Sequence, residues 1–198
     1  MSEVVAIICA LIWLYLIVGR GAFWLCGVRD TDRPSLDVPQ WPAVVAVVPA
    51  RNEADHIAAS IGSLARQDYP GKFSIVLVDD DSDDDTATVA RSAAAEFRAF
   101  ELIQSRGMAP GWTGKLWALR QGIEAARAAS PPPDYVLLTD ADIVHSPDSV
   151  RSLVARAARG GTVLTSLMAK LRCESLAERS HVPAFVFFFD MLYPFSWV

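Results

Sequence analysis

Short apolar runs alternate with segments of helical period along the middle of the chain, and two long apolar stretches lie at its ends. Ala43-Val44-Val45-Ala46-Val47-Val48 is rich in β-branched residues and shows no alternation, the pattern of a parallel strand covered on both faces. Pro49 ends it. A helix is predicted from Glu53 to Arg66 on the apolar positions Ile57, Ile61, Leu64 and Ala65. Phe73 to Val78 reads as a second strand, Asp84 to Phe97 as an Ala-rich helix, and Glu101-Leu102-Ile103 as a short third strand. Gly107 to Thr113 is a loop. Gly114 to Ala129 reads as a helix, which Ser130-Pro131-Pro132-Pro133 breaks before a strand at Tyr135 to Thr139. A helix at Pro147 to Arg159 and a strand at Thr162 to Leu171 complete the series. Strands and helices alternating through short connections predict the α/β class, a mostly parallel sheet flanked by helices.

The first apolar stretch, Val4 to Val28, carries one charge, Arg20. A spanning helix needs roughly 20 largely apolar residues, and this stretch suffices if Arg20 snorkels or marks the membrane edge. Met1-Ser2-Glu3 has no basic start and no small-residue cleavage site follows, unlike a signal peptide. Arg20, Arg29 and Arg33 follow the apolar core, so the positive-inside bias places the remainder in the cytoplasm. The expected organisation is therefore an anchor over 1–28, a Pro-containing linker over 29–42, an α/β domain over 43–181 and an apolar aromatic segment over 182–198. In that last segment Pro183, Asp190 and Pro194 interrupt the aromatics, which argues for an interfacial or re-entrant piece rather than a straight span; core packing against a further part of the protein is the alternative. The run reaches Val198 without a polar ending, so the chain is expected to be truncated.

The 198 residues suffice for one sizeable α/β domain. Net charge is −5 and no block of Lys or Arg forms a basic face, which argues against nucleic acid as the main partner. Cys9, Cys26 and Cys173 are far apart and no Cys/His ligand spacing exists, so a zinc site and a disulfide framework are both disfavoured.

Candidate chemistry sits where strands end. The second strand runs into Asp79-Asp80-Asp81-Ser82-Asp83-Asp84-Asp85-Thr86, and the strand from Tyr135 runs into Asp140-Ala141-Asp142. Open α/β sheets place ligands in the crevice beyond the carboxyl ends of their strands. An Asp-x-Asp pair there can hold a hard divalent cation, and the cation a diphosphate. Clustered carboxylates repel unless something compensates. Helix capping, with Ser82 or Asp83 as cap, accounts for Asp84 and Asp85 but not for Asp79 and Asp80. An EF-hand loop fails, since Asp84 and Ala90 stand where Gly and Glu are required. Gly111-Trp112-Thr113-Gly114-Lys115 is not a P-loop, because Ala109 replaces its first Gly, yet Lys115 could meet a phosphate at a helix start. Pro49-Ala50-Arg51-Asn52-Glu53 after the first strand could wrap a nucleobase.

Val47-Val48-Pro49-Ala50-Arg51-Asn52-Glu53, Val78-Asp79-Asp80-Asp81-Ser82 and Asp140-Ala141-Asp142, in this order and spacing, resemble the family 2 glycosyltransferases of the GT-A (nucleotide-diphospho-sugar transferase) fold. Gly111-Trp112-Thr113-Gly114-Lys115-Leu116-Trp117, Leu138 to Ile143, Leu171 to Ser175 and Pro183 to Phe189 look more closely like the hopene-associated glycosyltransferases of bacterial hopanoid clusters. The resemblance implies a nucleotide-sugar donor held by Pro49, Arg51, Glu53, Asp79 or Asp80, Lys115 and Asp140. It implies a Mg²⁺ or Mn²⁺ site at Asp140 and Asp142, with Asp142 the direct ligand. It also implies a lipid acceptor, possible hopanoid biosynthesis, and a bacterial inner-membrane location with the domain facing the cytoplasm. The family's usual Asp-Asp-Gly-Ser has Asp81 in place of Gly here. No catalytic base is assigned: Glu174, Glu178 and Asp190 are the only carboxylates after Asp148, none in a matching motif, and the base is expected beyond Val198. The alternatives are a ceramide- or polysaccharide-type member of the family and a truncated, non-catalytic nucleotide-sugar-binding membrane protein.

Overall fold

Val44–Ala50 (β1) is buried at every position, the signature of a central strand covered on both faces. It pairs in parallel with Phe73–Asp79 (β2) on one side and Tyr135–Leu138 (β4) on the other, and β2 pairs in parallel with Phe100–Gln104 (β3). The order is β3-β2-β1-β4. Register runs Val44 to Phe73 and Val44 to Tyr135, so β1 and β2 end level at Ala50 and Asp79, while β4 stops at Leu138, opposite Val47, and its loop continues along the same edge. The computed structural model describes residues 2–25 and 38–197.

The chain divides into two compact units, Pro34–Ser166 and the paired chain ends Met1–Arg33 with Leu167–Val198. In the first, helices cover both faces of the sheet. Ala54–Ala65 (α2) buries Ile57, Ile61 and Leu64 against Ala46, Val48, Ile75 and Leu77, together with Ala90 of Thr86–Ala93 (α3). Gly114–Ala128 (α4) packs Ala118 and Ala126 on the other face against Val45, Val47, Val76 and Val78. A Cβ on Gly122 would stand 2.4 Å from Val47 Cγ1 and 2.9 Å from Val78 Cγ2, so only glycine lets α4 lie this close to the sheet. Ser149–Gly160 (α5) seats Val150 and Val154 beside Val44. It ends at Gly161, whose φ of 57° is the left-handed C-terminal turn that glycine adopts without steric cost.

Most predicted elements fall within a few residues of those observed, and two differ. The helix expected from Asp84 to Phe97 is confined to Thr86–Ala93: Asp84 and Asp85 form its entry turn, and the chain leaves it in turns closed by Ala95 N–H to Ser92 O and Phe97 N–H to Ala94 O. The strand expected over Thr162 to Leu171 does not form. Its apolar character is real, yet Val163 is fully exposed and Leu164 is 77% exposed. An apolar run becomes a strand only where a neighbouring backbone satisfies its N–H and C=O groups, and among the described residues none pairs with it.

In the second unit Ser2–Leu14 (α1) continues into a π-helical turn at Tyr15–Gly19 and a tight turn at Phe23–Leu25. Ser2–Gly19 is long and apolar enough to cross a membrane, and none of it is buried. Leu176–Leu192 (α6) opens on a capping box in which Ser175 Oγ accepts from Glu178 N–H and Glu178 returns the bond to the Ser175 backbone. α6 carries Pro183 in its interior and runs across the boundary expected between 181 and 182. Cys26, Arg29, Arg33 and the linker as far as residue 37 lie outside the described residues.

Candidate active site

β1 and β4 are adjacent, whereas the chain leaves β1 for β2 and β3 on the other side. That makes the carboxyl ends of β1 and β4 the switch point, where open parallel sheets leave a crevice for ligands. A cleft of about 350 Å³ opens there, lined by Pro49, Arg51, Glu53, Asp80, Gly114, Lys115, Ala118, Asp140 and Asp142 among others. Three loops and one helix start thus bring to one place residues separated by some ninety positions in sequence. A second, smaller cavity of about 100 Å³ lies beside β4 and α5 and is walled by Val136, Leu153, Val163 and other apolar groups. It has no charged lining, and its polar side chains are the hydroxyls of Tyr135, Thr162 and Thr165.

Two of the loops are sewn together. Asn52, with a φ of 56°, donates its N–H to Ser82 Oγ (3.0 Å), and its side-chain oxygen accepts from Asp83 N–H (2.8 Å). Glu53 N–H donates to Thr86 Oγ1 (2.8 Å) and Ala54 N–H to Asp84 (3.1 Å). Asp84 also accepts from the Thr86 hydroxyl and backbone, and these donors hold its carboxyl below the usual range. Asp85 stands at the N-cap of α3 without a side-chain capping bond, and Asp84, one residue earlier, satisfies the Thr86 N–H in its place; Ser82 and Asp83 do not cap the helix. Asp81 has a φ of 61°, the left-handed conformation that Gly adopts freely and Asp tolerates better than most residues. This is the physical content of the Gly-to-Asp departure.

Asp79 and Asp80 part company. Asp79 is 3% exposed and is not among the cleft-lining residues. Its carboxylate accepts from Gln104 Nε2 (2.8 Å) and Ser82 N–H (3.2 Å), tying β2 to the end of β3. Asp80 faces the cleft and touches the start of α4: a Cβ on Gly114 would stand 2.7 Å from Asp80 Oδ2. Gly114 is therefore required by the approach of that carboxylate.

Lys115, one residue into α4, places Nζ 2.7 Å from Asp140 Oδ1. Both side chains are more than half exposed, so the pair is solvent-screened and exchangeable. The loop before it is braced by aromatics: Trp117 Nε1 donates to Arg106 O (2.8 Å), and the Arg120 guanidinium lies 5.0 Å from the Trp112 ring and 5.7 Å from that of Trp117. Beneath the Asp140–Asp142 turn, Thr139 Oγ1 meets His145 Nε2 at 3.0 Å, and His145 N–H donates to Ser63 Oγ at 3.0 Å. Burial pushes the His145 imidazole below its usual value.

Sequence reasoning did not reach Thr139, His145, Gln104 or the Asn52–Ser82–Thr86 stitching. A lone histidine carries no signal, and a hydroxyl three residues after an acid becomes informative only once the two loops are adjacent. Of the later carboxylates, Glu178 is engaged in the capping box, Glu174 pairs with Arg172 (2.9 Å), and Asp190 accepts from Phe195 N–H (3.0 Å).

The donor set suits a hard divalent cation. Among the described residues no three His, Cys, Asp or Glu side chains converge into a closed cage. Mg²⁺ does not need one, being bound through one or two carboxylates plus substrate phosphates and water. Asp140 and Asp142 supply carboxylate oxygen on an open cleft wall.

The parallel sheet flanked by helices, with carboxylates and cations facing a cleft at its switch point, is of the GT-A class on its likeness to the proteins that follow. The profile of Glycosyl transferase family 2 matches residues 45–195, and the chain belongs to that family. It is 35% identical over 129 residues to an N-acetylglucosaminyltransferase of Rhizobium leguminosarum bv. viciae, covering 64% of this chain and 28% of that protein. It is 31% identical over 121 residues to an undecaprenyl-phosphate 4-deoxy-4-formamido-L-arabinose transferase of Shewanella sediminis, covering 59% and 34%. Among solved structures, a mannosyltransferase from Pyrobaculum calidifontis in complex with GDP-Man and Mn²⁺ superposes with a TM-score of 0.54 and 29% identity, over 74% of this chain and 39% of that one. The chain thus spans 28% to 39% of the length of these relatives.

Proposed function

We propose that the chain is the donor-binding part of a membrane-anchored glycosyltransferase that moves a sugar from a nucleotide-sugar donor to a lipid acceptor. The observation carrying this reading is the meeting of Arg51, Glu53, Asp80, Lys115, Asp140 and Asp142 in one cleft at the switch point. Glu53 and Asp80, on the stitched loops, face the nucleoside. Lys115 and Arg51 offer cationic donors to the diphosphate. Asp142, and Asp140 once its partner Lys115 turns to phosphate, hold Mg²⁺ or Mn²⁺. When bound, the cation neutralises charge that develops on the departing nucleoside diphosphate.

The lipid acceptor is supported by the exposed apolar helix Ser2–Gly19 and by the relative named as an undecaprenyl-phosphate sugar transferase. In this reading 1–28 is the anchor, 29–42 the linker and the α/β unit that follows, as far as Ser166, the glycosyltransferase domain, facing the cytoplasm at a bacterial inner membrane. A hopanoid is the acceptor class favoured by the motif resemblance around Gly111 to Trp117.

A thermal-shift panel of nucleoside diphosphates and their sugars, with and without Mn²⁺, tests the reading. Stabilisation by one nucleotide that grows with Mn²⁺ is the expected result; a flat response across the panel contradicts it.

A further inference from the structure

Arg20 is the only charge between Val4 and Val28, and it is not left to solvent. Its Nε donates to Met191 O (2.9 Å) and its Nη2 to Leu192 O (2.5 Å), the last carbonyls of α6. Its guanidinium also lies 4.8 Å from the centre of the Trp197 ring. Phe23 is buried beneath Phe187, with ring centres 5.1 Å apart. The carboxyl end of α6 is therefore fixed to the point where the apolar helix Ser2–Gly19 ends. A cation at a helix C-terminus also complements the negative end of the macrodipole.

The two halves of α6 differ. Before Pro183 lie Glu178, Arg179, Ser180 and His181; after it the only charge is Asp190, which is 8% exposed and occupied by Phe195 N–H. Phe185, Phe188 and Leu192 fall on one stripe (i, i+3, i+7), each more than half exposed, and Tyr193 and Trp197 are exposed beyond them. Trp24, also exposed, donates its indole N–H to Ile17 O (3.0 Å) at the end of the apolar helix Ser2–Gly19. Tyr and Trp gathered with an Arg at the end of an apolar span form the composition of a membrane–water interface belt. α6 has 17 residues, about 25 Å at the usual rise, and its polar first turns prevent it from spanning.

We infer that the carboxyl-terminal half of α6 lies in the headgroup–acyl boundary of a phospholipid bilayer, clamped to the end of the α1 anchor by Arg20. The exposed apolar residues of the anchor and Phe185, Phe188 and Leu192 then meet the same bilayer. In that setting Arg20 has two tasks: it satisfies carbonyls that water would reach poorly, and it keeps its own charge at the polar boundary. The inference rests on the reading of Ser2–Gly19 as a membrane anchor.

The test uses the full chain in vesicles of phosphatidylcholine and phosphatidylglycerol, with Cys9→Ser, Cys26→Ser and Cys173→Ser, and a fluorescent label on one introduced cysteine. Phe188→Cys and, independently, Leu192→Cys report on α6, Trp13→Cys on the anchor, and Arg91→Cys on the exposed face of α3. The expected result is loss of fluorescence to a lipid-borne nitroxide at α6 and anchor positions, with iodide quenching only the α3 label. Adding Arg20→Gln shifts the α6 labels toward iodide and leaves the anchor label unchanged. Anchor labels quenched by lipid with α6 labels quenched by iodide overturn the inference and spare the anchor. An anchor label untouched by lipid overturns both. α6 labels shielded from both quenchers in a cross-linkable dimer overturn it in favour of a second copy of the chain. α6 labels indifferent to Arg20→Gln overturn the clamp.

Discussion

Lys115 Nζ stands 2.7 Å from Asp140 Oδ1, joining the start of α4 to the turn that follows β4. The pair is exposed, so it contributes little to stability, roughly 0–1 kcal/mol. Its significance is placement. In the proposed reading this cation and carboxylate at one cleft wall are the partners of a phosphate and of a metal ion, and their exposure leaves both free to exchange.

Removing the cation separates these roles. Lys115→Ala is expected to weaken nucleoside diphosphate binding by about tenfold or more, since a hydrogen bond to a charged group is worth about 1.5–3 kcal/mol. Thermal stability should stay unchanged. Calorimetric titration checks the first and a melting curve the second; an unchanged affinity would place the diphosphate elsewhere.

Asp79→Ala should act on the fold. Its carboxylate is buried and bonded to Gln104 and Ser82 N–H, and truncation leaves those donors unsatisfied at a cost of about 1–3 kcal/mol. Urea unfolding should show a lowered midpoint, with nucleotide affinity in the folded protein near that of the parent. A loss of affinity at full stability would return Asp79 to the donor site.

Gly114→Ala should do the reverse. Alanine is the better helix former, but its Cβ would meet Asp80 Oδ2 at 2.7 Å. The carboxylate must turn away, so donor binding falls while the melting temperature holds or rises. Affinity equal to the parent would show that Asp80 has no fixed position to lose.

The support under the Asp-x-Asp turn makes stability depend on pH. His145 is held below its ordinary value of 6.5 by burial. The unfolded chain therefore takes the proton first, and stability declines as pH falls through that value toward the lower folded one. Carboxylates held low, Asp84, Glu124 and Glu178, act only in the more acidic range near pH 4 and below. Urea midpoints at pH about 7.5 and about 5.5 should differ more for the parent than for His145→Gln. Equal differences would remove His145 from the account.

Much of this was legible in the residues. The unbroken Val-rich run at 44–48 and the acids after Leu138 are local signals, and the ends of β2 and β4 are written in the step from apolar residues to Asp. The Thr162–Leu171 segment was misread because side-chain character does not say whether a partner backbone is present. Asp79 and Asp80 could not be told apart because they are consecutive and alike: Asp79 is the last residue of β2 and bonds to Gln104, whereas Asp80, just past the strand, turns toward α4 and the cleft. The Arg20 contacts join positions about 170 apart in sequence, and no periodicity encodes such a pairing.

The central claim is that Asp142 helps hold a cation that in turn grips a diphosphate. Calorimetric titration of the nucleoside diphosphate that stabilises the protein best, with and without Mn²⁺, measures it on the parent and on Asp142→Asn. Mn²⁺ should tighten binding to the parent and leave Asp142→Asn at the metal-free affinity. An equal gain from Mn²⁺ in both proteins would contradict the account.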